Sequence, residues 1–340
     1  VTVQPVLDNS RVSPPATGAD FAAPVVRRER HTDLLTWQLL LVLAVLLAIL
    51  PQFVYPVFLM KVMCFAILTS GVGLLLGYGG LLSFGHAAYF GFGAYTAGYV
   101  AARLGWPPEA AILSGTAASL VLGTLFGAIA IRRLGIYFSM VTLALAQLVY
   151  FAALQNPQIT GGEDGLQPIP RGVLFGVVDL QDTTNLYVFV SVVLLLTLLF
   201  VHRVMTSPFG RVLQAIRDNE ARAQTFGYSA RRYKLLIFVI SAGLAGLAGS
   251  LKAIVMQVVT LTDLHLTTTA EPILMLLLGG IGTLFGPVIG AGIIVSMQYF
   301  LSPFGAWVTV VQGLIFILCV LAFKQGIVGL MKHLFARRMR

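Results

Sequence analysis

Charge is what this chain has least of. Asp, Glu, Lys and Arg make up 10% of its 340 residues, where an ordinary soluble domain carries roughly 25%. So few charges cannot cover a water-facing surface. With 58% hydrophobic residues and a mean hydropathy of +0.90, the apolar side chains must face lipid. Cysteine is nearly absent. Cys64 and Cys319 both sit in apolar runs, so neither a disulfide framework nor a thiolate metal site is implied. The chain has no Gly-Lys dipeptide and therefore no phosphate-cradling Gly-x-x-x-x-Gly-Lys-Ser/Thr loop, so it is not an ATPase. His-Glu-x-x-His is missing as well, which removes zinc-protease chemistry. No Ser–His or Asp pair stands out inside an apolar run. Membrane-embedded hydrolysis is left with a spatial pairing of Ser83 or Ser139 with some distant group. All 13 acidic residues fall in loops, the amino-terminal tail or segment ends. That placement disfavours proton-coupled transport and leaves sodium coordination by carbonyls open.

What the chain does have is long apolar runs. Strand-like alternation is absent and the runs are too long for barrel strands, so the backbone must satisfy itself within α-helices. The expected fold is an all-α integral membrane protein, a polytopic helical bundle of about ten segments, eight to ten depending on whether short ones cross fully. The segments are 34–50, 56–76, 85–102, 110–131, 136–154, 186–204, 235–256, 272–281, 288–301 and 306–323. Residues 1–33 are polar, with Pro5, Pro14, Pro15 and Pro24, and read as a disordered tail. No secretory signal is expected, because Arg27, Arg28 and Arg30 precede a full-length span without a small-residue cleavage site. The permease domain is expected over 34–323 and a basic tail over 324–340.

Lysine and arginine orient the bundle, since cytoplasmic flanks carry the positive excess. Arg132 and Arg133, the seven basic residues from Arg203 to Lys234, and the tail residues Lys332, Arg337, Arg338 and Arg340 all fall on the side of the amino terminus. The loop 155–185 falls on the other, with Glu163, Asp164, Asp179 and Asp182 against a single Arg171. Both termini are therefore expected in the cytoplasm. The net charge of +9 is accounted for by these flanks and anionic lipid, with no nucleic acid.

Two stretches are dense in glycine: 77–93 (GYGGLLSFGHAAYFGFG) and 279–292 (GGIGTLFGPVIGAG). Glycine weakens helix and permits close backbone approach, and Pro287 removes a donor. Each stretch is either a tight turn with small-residue packing or a broken helix beside a transport pathway. The two look alike, which hints at an internal repeat. The candidate pathway residues are Ser83, Phe84, Gly85, His86, Tyr89, Gly279 and Gly282. His86 lies deep in an apolar run, and a packing role weighs more than solute contact there. Ser83 suits a cap for the third segment. Lys61 and Lys252 near segment ends are explained by snorkelling. Glu271 before Pro272 fits a helix amino terminus.

The most specific polar region is 206–234. Ser207 is a good N-cap, Pro208 suits the first helical position and Gly227 the C′ position. Val212, Leu213 and Ile216 share a face, Ala223 and Phe226 continue it, and Arg211, Arg217 and Arg222 point elsewhere. An amphipathic helix, or two short ones, rests on lipid or docks into a partner's groove.

Four motifs now make a resemblance visible: 79–95 (GGLLSFGHAAYFGFGAY), 160–166 (TGGEDGL), 209–220 (FGRVLQAIRDNE) and 278–287 (LGGIGTLFGP). In this order and spacing the chain resembles, from about Leu34 onward, the LivM-type permease subunits of bacterial branched-chain amino acid ABC importers. The resemblance implies a multi-pass protein of the bacterial inner membrane that forms the pathway with a second, homologous permease. It also implies two cytoplasmic ATP-binding subunits that consume ATP, a periplasmic solute-binding protein, and no cofactor on this chain. Phe209, Gly210, Arg211, Ala215, Arg217, Asn219, Glu220 and Gly227 would form the segment that seats in the ATPase. The sequence departs there from the common Glu-Ala-Ala…Gly pattern, with an arginine in the alanine run and one extra residue before the glycine. Gly161, Gly162, Asp164 and Gly165 would form the turn where the binding protein docks, although a plain glycine turn explains them equally well. Related permeases serve branched-chain amino acids, other amino acids, amides or urea, and aromatic acids. A stand-alone secondary transporter is the competing reading.

Overall fold

A computed structural model describes residues 30–133, 135–301, 310, 311, 313 and 314. The chain divides into two compact units, Val1–Leu43 and Ala44–Arg340. Of the first unit, the described part is the opening of α1 (Arg30–Ile49), with Trp37 and Leu41 exposed.

The second unit is helical almost throughout its described residues. After α1 and a 3₁₀ turn at Leu50–Gln52 come α2 (Pro56–Gly77), α3 (His86–Arg103), α4 (Pro108–Ala130), α5 (Ile136–Leu154) and the single turn α6 (Pro157–Thr160). Two strands of two residues, β1 (Val173–Leu174) and β2 (Val178–Asp179), form an antiparallel hairpin. Then follow α7 (Thr183–Thr206), α8 (Pro208–Asp218), α9 (Glu220–Thr225), α10 (Ala230–Met256), α11 (Leu266–Gly279) and α12 (Gly286–Leu301). Pro56, Pro108, Pro157 and Pro208 each sit in the first turn of their helix, where a missing N–H costs nothing. Among the described residues five helices, α2, α4, α5, α7 and α10, are long and apolar enough to cross a membrane. The chain is an all-α polytopic membrane protein.

Burial sorts these helices. α2 is buried along almost its whole length and α10 along most of it, as expected for helices apolar on every face. α4, α5 and α7 bury one stripe each and expose Leu113, Val121, Met140, Leu148, Val188 and Leu196 to the membrane. Small residues let the backbones touch. A Cβ on Gly93 would meet the Gly246 carbonyl at 2.7 Å, and one on Gly249 would overlap the Phe90 carbonyl. Hydrophobic force between helices is weak in lipid, so this close packing holds α3 and α4 against α10.

Six of the expected segments, from 34–50 to 186–204, match α1 to α5 and α7 to within a few residues, and the match at 136–154 is complete. α10 begins five residues before the expected 235, because the basic stretch Arg231–Lys234 is helical. α11 begins six residues before the expected 272, so Glu271 and Pro272 lie inside it rather than at its start. The segment 306–323 and the tails 1–29 and 324–340 lie outside the described residues, apart from the few positions named above.

Candidate functional site

The first glycine-rich stretch is a break in the bundle. α2 ends at Gly77, residues 78–85 run back without helix, and α3 starts at His86. The helix starts near mid-bundle. His86 Nε2 and Ser241 Oγ are 2.8 Å apart, and Ser241 is the twelfth residue of the 27-residue α10, so it lies about 17 Å along that helix. Ser241 in turn donates to the Gly71 carbonyl of α2 at 2.7 Å. On the other flank, Phe84 N–H donates to Thr142 Oγ1 at 3.1 Å, and Ser139 Oγ donates to the Leu82 carbonyl at 2.6 Å. Two hydroxyls of α5 therefore pin the re-entrant segment, and Ser241 of α10 ties together the helices that flank it.

A second break answers the first from the opposite end. Residues 257–265 leave α10, turn back along α3 and feed α11. The start of α11 meets the start of α3, where Ala87 N–H donates to Thr269 Oγ1 at 3.0 Å. From that meeting point α3 runs alongside α10 toward the acidic loop, and α11 runs toward the arginine-rich end. Two helices thus begin partway along the bundle with their positive ends close together, the α3 start buried and that of α11 exposed at His265, Leu266 and Thr267. Helix starts of this kind are used for solute and ion sites in transporters. The counterpart of the 78–85 break is thus 257–265, which glycine content does not mark. The second glycine-rich stretch is instead the tight turn between α11 and α12. There Gly279 lies against the Gly286 backbone and Gly290 against Met275, and Thr283 closes the turn on the Gly280 carbonyl at 2.9 Å.

The candidate pathway residues therefore fall in two places. Ser83, Gly85, His86 and Tyr89 are buried around the α3 start, and Phe84 flanks them. Ser83 Oγ accepts from Gly85 N–H at 3.2 Å, one residue ahead of the helix it was expected to cap. Tyr89 packs edge-on against Phe238. Gly279 and Gly282 belong to the α11–α12 turn, where Gly282 sits against Gly77. A wide cleft lies elsewhere. It is an open groove of about 690 Å³ lined by Phe58, Val62, Ile293 and Met297, apolar and on the flank of the bundle.

The 257–265 segment carries what sequence reading missed. Lys252 Nζ lies 2.6 Å from both oxygens of Asp263, with both side chains nearly buried. Lys252 does not snorkel, because a carboxylate meets it inside the bundle. Asp263 also accepts from Thr260 N–H at 3.2 Å in a reciprocal capping box. The spacing Thr260-x-x-Asp263 was the available signal. Glu271 accepts from Gln298 Nε2 at 2.8 Å, joining α11 to α12.

At the arginine-rich end, where the loop pattern left one amphipathic helix or two short ones, the structure has two, α8 and α9. Ser207 Oγ accepts from Gly210 N–H at 3.2 Å. Asn219 breaks the helix with extended backbone and caps α9 by accepting from Arg222 N–H at 2.9 Å. Gly227 follows with φ +85°, as a C′ glycine does. Ile216 and Ala223 are buried together with Ala230, Val212 and Tyr233 pack on them, and Leu213 is buried as well. Lys234 Nζ bonds Glu220 Oε2 at 2.7 Å, tying α9 to the base of α10. Phe226 does not continue the buried face; it is exposed with Tyr228. Arg211, Ala215, Arg222 and Gly227 are exposed beside them, and Phe209 stacks on Tyr233 at 5.5 Å.

Arg217 departs from the expected pattern. Its guanidinium donates to the Gly77 carbonyl at the end of α2 and pairs with Asp218 at 3.1 Å. Its stem packs on Gly80, where φ is +64° and a Cβ would lie 2.6 Å from Arg217 Cγ. An arginine on a helix carboxyl end satisfies an orphan carbonyl and complements the dipole. Tyr78 lies next to it, and burial pushes its phenol up against the lowering effect of Arg217. At the opposite end, Gly161, Gly162 and Gly165 all have positive φ. Gly162 and Gly165 are buried, Gly165 against the Val259 carbonyl, while Glu163 and Asp164 are exposed.

The comparison with known proteins decides the family. The model of the family described as the permease component of branched-chain amino acid transport systems matches residues 56–320. The chain belongs to this permease family. It is similar to the high-affinity branched-chain amino acid transport system permease protein LivM of Salmonella typhimurium, 28% identical over 231 residues, which is 62% of this chain and 54% of that protein. The LivM of Escherichia coli is 29% identical over 227 residues, 60% of this chain and 53% of that protein. The chain thus spans about half the length of the curated relatives it matches. No solved structure matches it.

Proposed function

We propose that this chain is a transmembrane permease subunit of an ATP-binding-cassette importer for branched-chain amino acids. It would lie in a bacterial inner membrane with both termini in the cytoplasm. The observation that carries the reading is the conjunction of the permease family match over 56–320 with α8–α9, an amphipathic pair whose apolar face is spent inside the chain. Its outer face, Phe226, Tyr228, Arg211 and Arg222, is left for a partner. The sequence has no phosphate-binding loop, so a partner chain must hydrolyse ATP, and this chain needs no cofactor of its own. In this reading two ATP-binding subunits seat on α8–α9 and a second, homologous permease completes the pathway. A periplasmic solute-binding protein delivers solute at the Gly161–Gly165 end.

The mechanism follows from the breaks. ATP binding moves α8–α9, Arg217 passes the displacement to the end of α2 and to 78–85, and the meeting point of α3 and α11 opens. The residues assigned to the pathway are Ser83, Phe84, Gly85, His86 and Tyr89 at that point, with Gly279 and Gly282 at its arginine-rich exit.

The test is purification of the tagged chain from native membranes in mild detergent, with mass spectrometry of what accompanies it. Recovery of an ATPase bearing the phosphate-binding loop and of a second permease supports the importer. Recovery of the chain alone, active in liposomes without ATP, would replace it with a secondary transporter. Titrating the matching binding protein with leucine, urea, amides and aromatic acids separates the solute classes.

A further inference from the structure

The β1–β2 hairpin is an apolar finger at the acidic end of the bundle. Phe175 and Val177 at its tip are 74% and 84% exposed, more than most lipid-facing side chains on the spans. The turn is closed by Val177 N–H donating to the Leu174 carbonyl at 3.1 Å, and both of its central residues have positive φ, +49° for Phe175 and +71° for Gly176. Asn, Asp or Gly adopts that conformation at little cost, and a bulky aromatic does not. A phenylalanine held there in strain, with its ring outward, needs a reason outside the turn.

The position of the hairpin supplies one. Its base is fastened to the first turn of α4. Gly172 approaches Pro108 so closely that a Cβ would lie 3.1 Å from Pro108 Cδ, and Phe175 N–H donates to Glu109 Oε1 at 3.3 Å. β2 runs directly into the Asp182 cap of α7, which accepts from Thr184 N–H at 3.1 Å. α4 and α7 are both long enough to span, so their first turns lie at the membrane–water boundary. Leu104 and Trp106, on the turn that enters α4, are exposed at the same level, 52% and 53%. Below them the exposed leucines and valines of α4 and α7 continue into the hydrocarbon layer. Aromatic side chains at span ends seat in the headgroup layer, where the ring finds apolar surroundings and the backbone stays wet.

We infer that the tip of the hairpin, Phe175 and Val177, inserts into the lipid headgroup layer next to Trp106. It would fix the 155–182 loop at the membrane surface. The partner is the apolar boundary of the bilayer rather than anionic headgroups, because Asp179 and Asp182 flank the hairpin. The inference stands on the chain being a membrane protein and does not require the transport reading.

The test uses the full chain with Cys64 and Cys319 replaced by alanine, reconstituted in phosphatidylcholine vesicles. A nitroxide on Val177→Cys is compared with one on Asp164→Cys, an exposed position of the same loop. The expected result is that oxygen relaxes the Val177 label several-fold more than a water-soluble nickel chelate does, relative to the Asp164 label. Phe175→Asn, which suits the turn and should leave the melting temperature unchanged or raised, returns the Val177 label toward the Asp164 value. A Val177 label as open to nickel as the Asp164 label overturns the inference. If that open label becomes shielded when the solute-binding protein is added, the hairpin is a protein-docking element instead.

Discussion

Lys252 and Asp263 are the residues at which sequence and structure part furthest. Each alone reads as a charge near a segment end, where a flexible side chain reaches water. In the structure they are a nearly buried pair with 2.6 Å contacts, and Asp263 also holds the Thr260 N–H. Removing one member of a buried pair strands the other and costs about 3–5 kcal/mol. Asp263→Asn or Lys252→Met should therefore lower the apparent melting temperature of the detergent-solubilised chain by several degrees. The double change Lys252→Met/Asp263→Leu should recover most of the loss, short of the roughly 1 kcal/mol that belongs to the lost cap. Additive losses in that cycle would show the two charges to be independent. The pair was illegible because pairing joins positions on α10 and on a segment that turns back into the bundle, and composition carries no sign of that turn. His86 was legible in kind but not in partner. Its depth predicted a buried polar contact, while Ser241, 155 positions away, follows only from the packing of α3 on α10.

At the scale of elements, apolar length and proline placement were enough to find the helices, since both act locally. The breaks were half legible. Glycine density marks 78–85 because the chain there passes between packed helices. The partner break at 257–265 is built from threonines, Asp263 and His265, whose hydrogen bonds replace the glycine signal. Arg217 shows the same limit, because helical periodicity places it away from the apolar face and cannot show the Gly77 carbonyl beyond. If Arg217 passes motion from α8 to α2, Arg217→Ala should cut ATP-dependent uptake several-fold while the amount of co-purifying ATPase stays unchanged. Arg217→Lys should restore only part, since a lysine offers a point charge without the planar fork. Equal loss of ATPase from the purified complex would make Arg217 a docking residue instead. The α3–α10 seam gives a separate expectation. Gly249→Val places a branched side chain where the Phe90 carbonyl lies, so the helices must separate at a cost of about 1–3 kcal/mol. Thermal melting should show that loss, whereas Gly105→Ala, with nothing within 4 Å, should show only the smaller strain of its positive φ.

For the whole molecule the remaining question is which way the bundle faces. Arg132 and Arg133 follow α4, whose last turn packs through Gly127 on Leu235 and Phe238 at the start of α10. The α8–α9 pair and the end of α2 meet at that same end through Arg217. The basic residues of two separate loops thus gather at one end of the helices, although they lie as much as a hundred positions apart in the chain. Glu163, Asp164, Asp179 and Asp182 gather at the other, where Arg171 and Arg103 at the end of α3 are the arginines. If insertion retains the basic end in the cytoplasm, as the proposed function requires, then in intact cells a cysteine at Asp164 should react with a membrane-impermeant maleimide. A cysteine at Arg222 should react only after the membrane is opened. The reversed pattern would put α8–α9 outside, where no ATP is hydrolysed, and would remove the importer mechanism even if the family and fold stand. Labelling of both sites from one side would mean an even number of crossings, or none, between α5 and α8. That is incompatible with α7 as a span, and a 24-residue helix with exposed Val188, Val192, Leu196 and Phe200 would then have to lie where those side chains meet water.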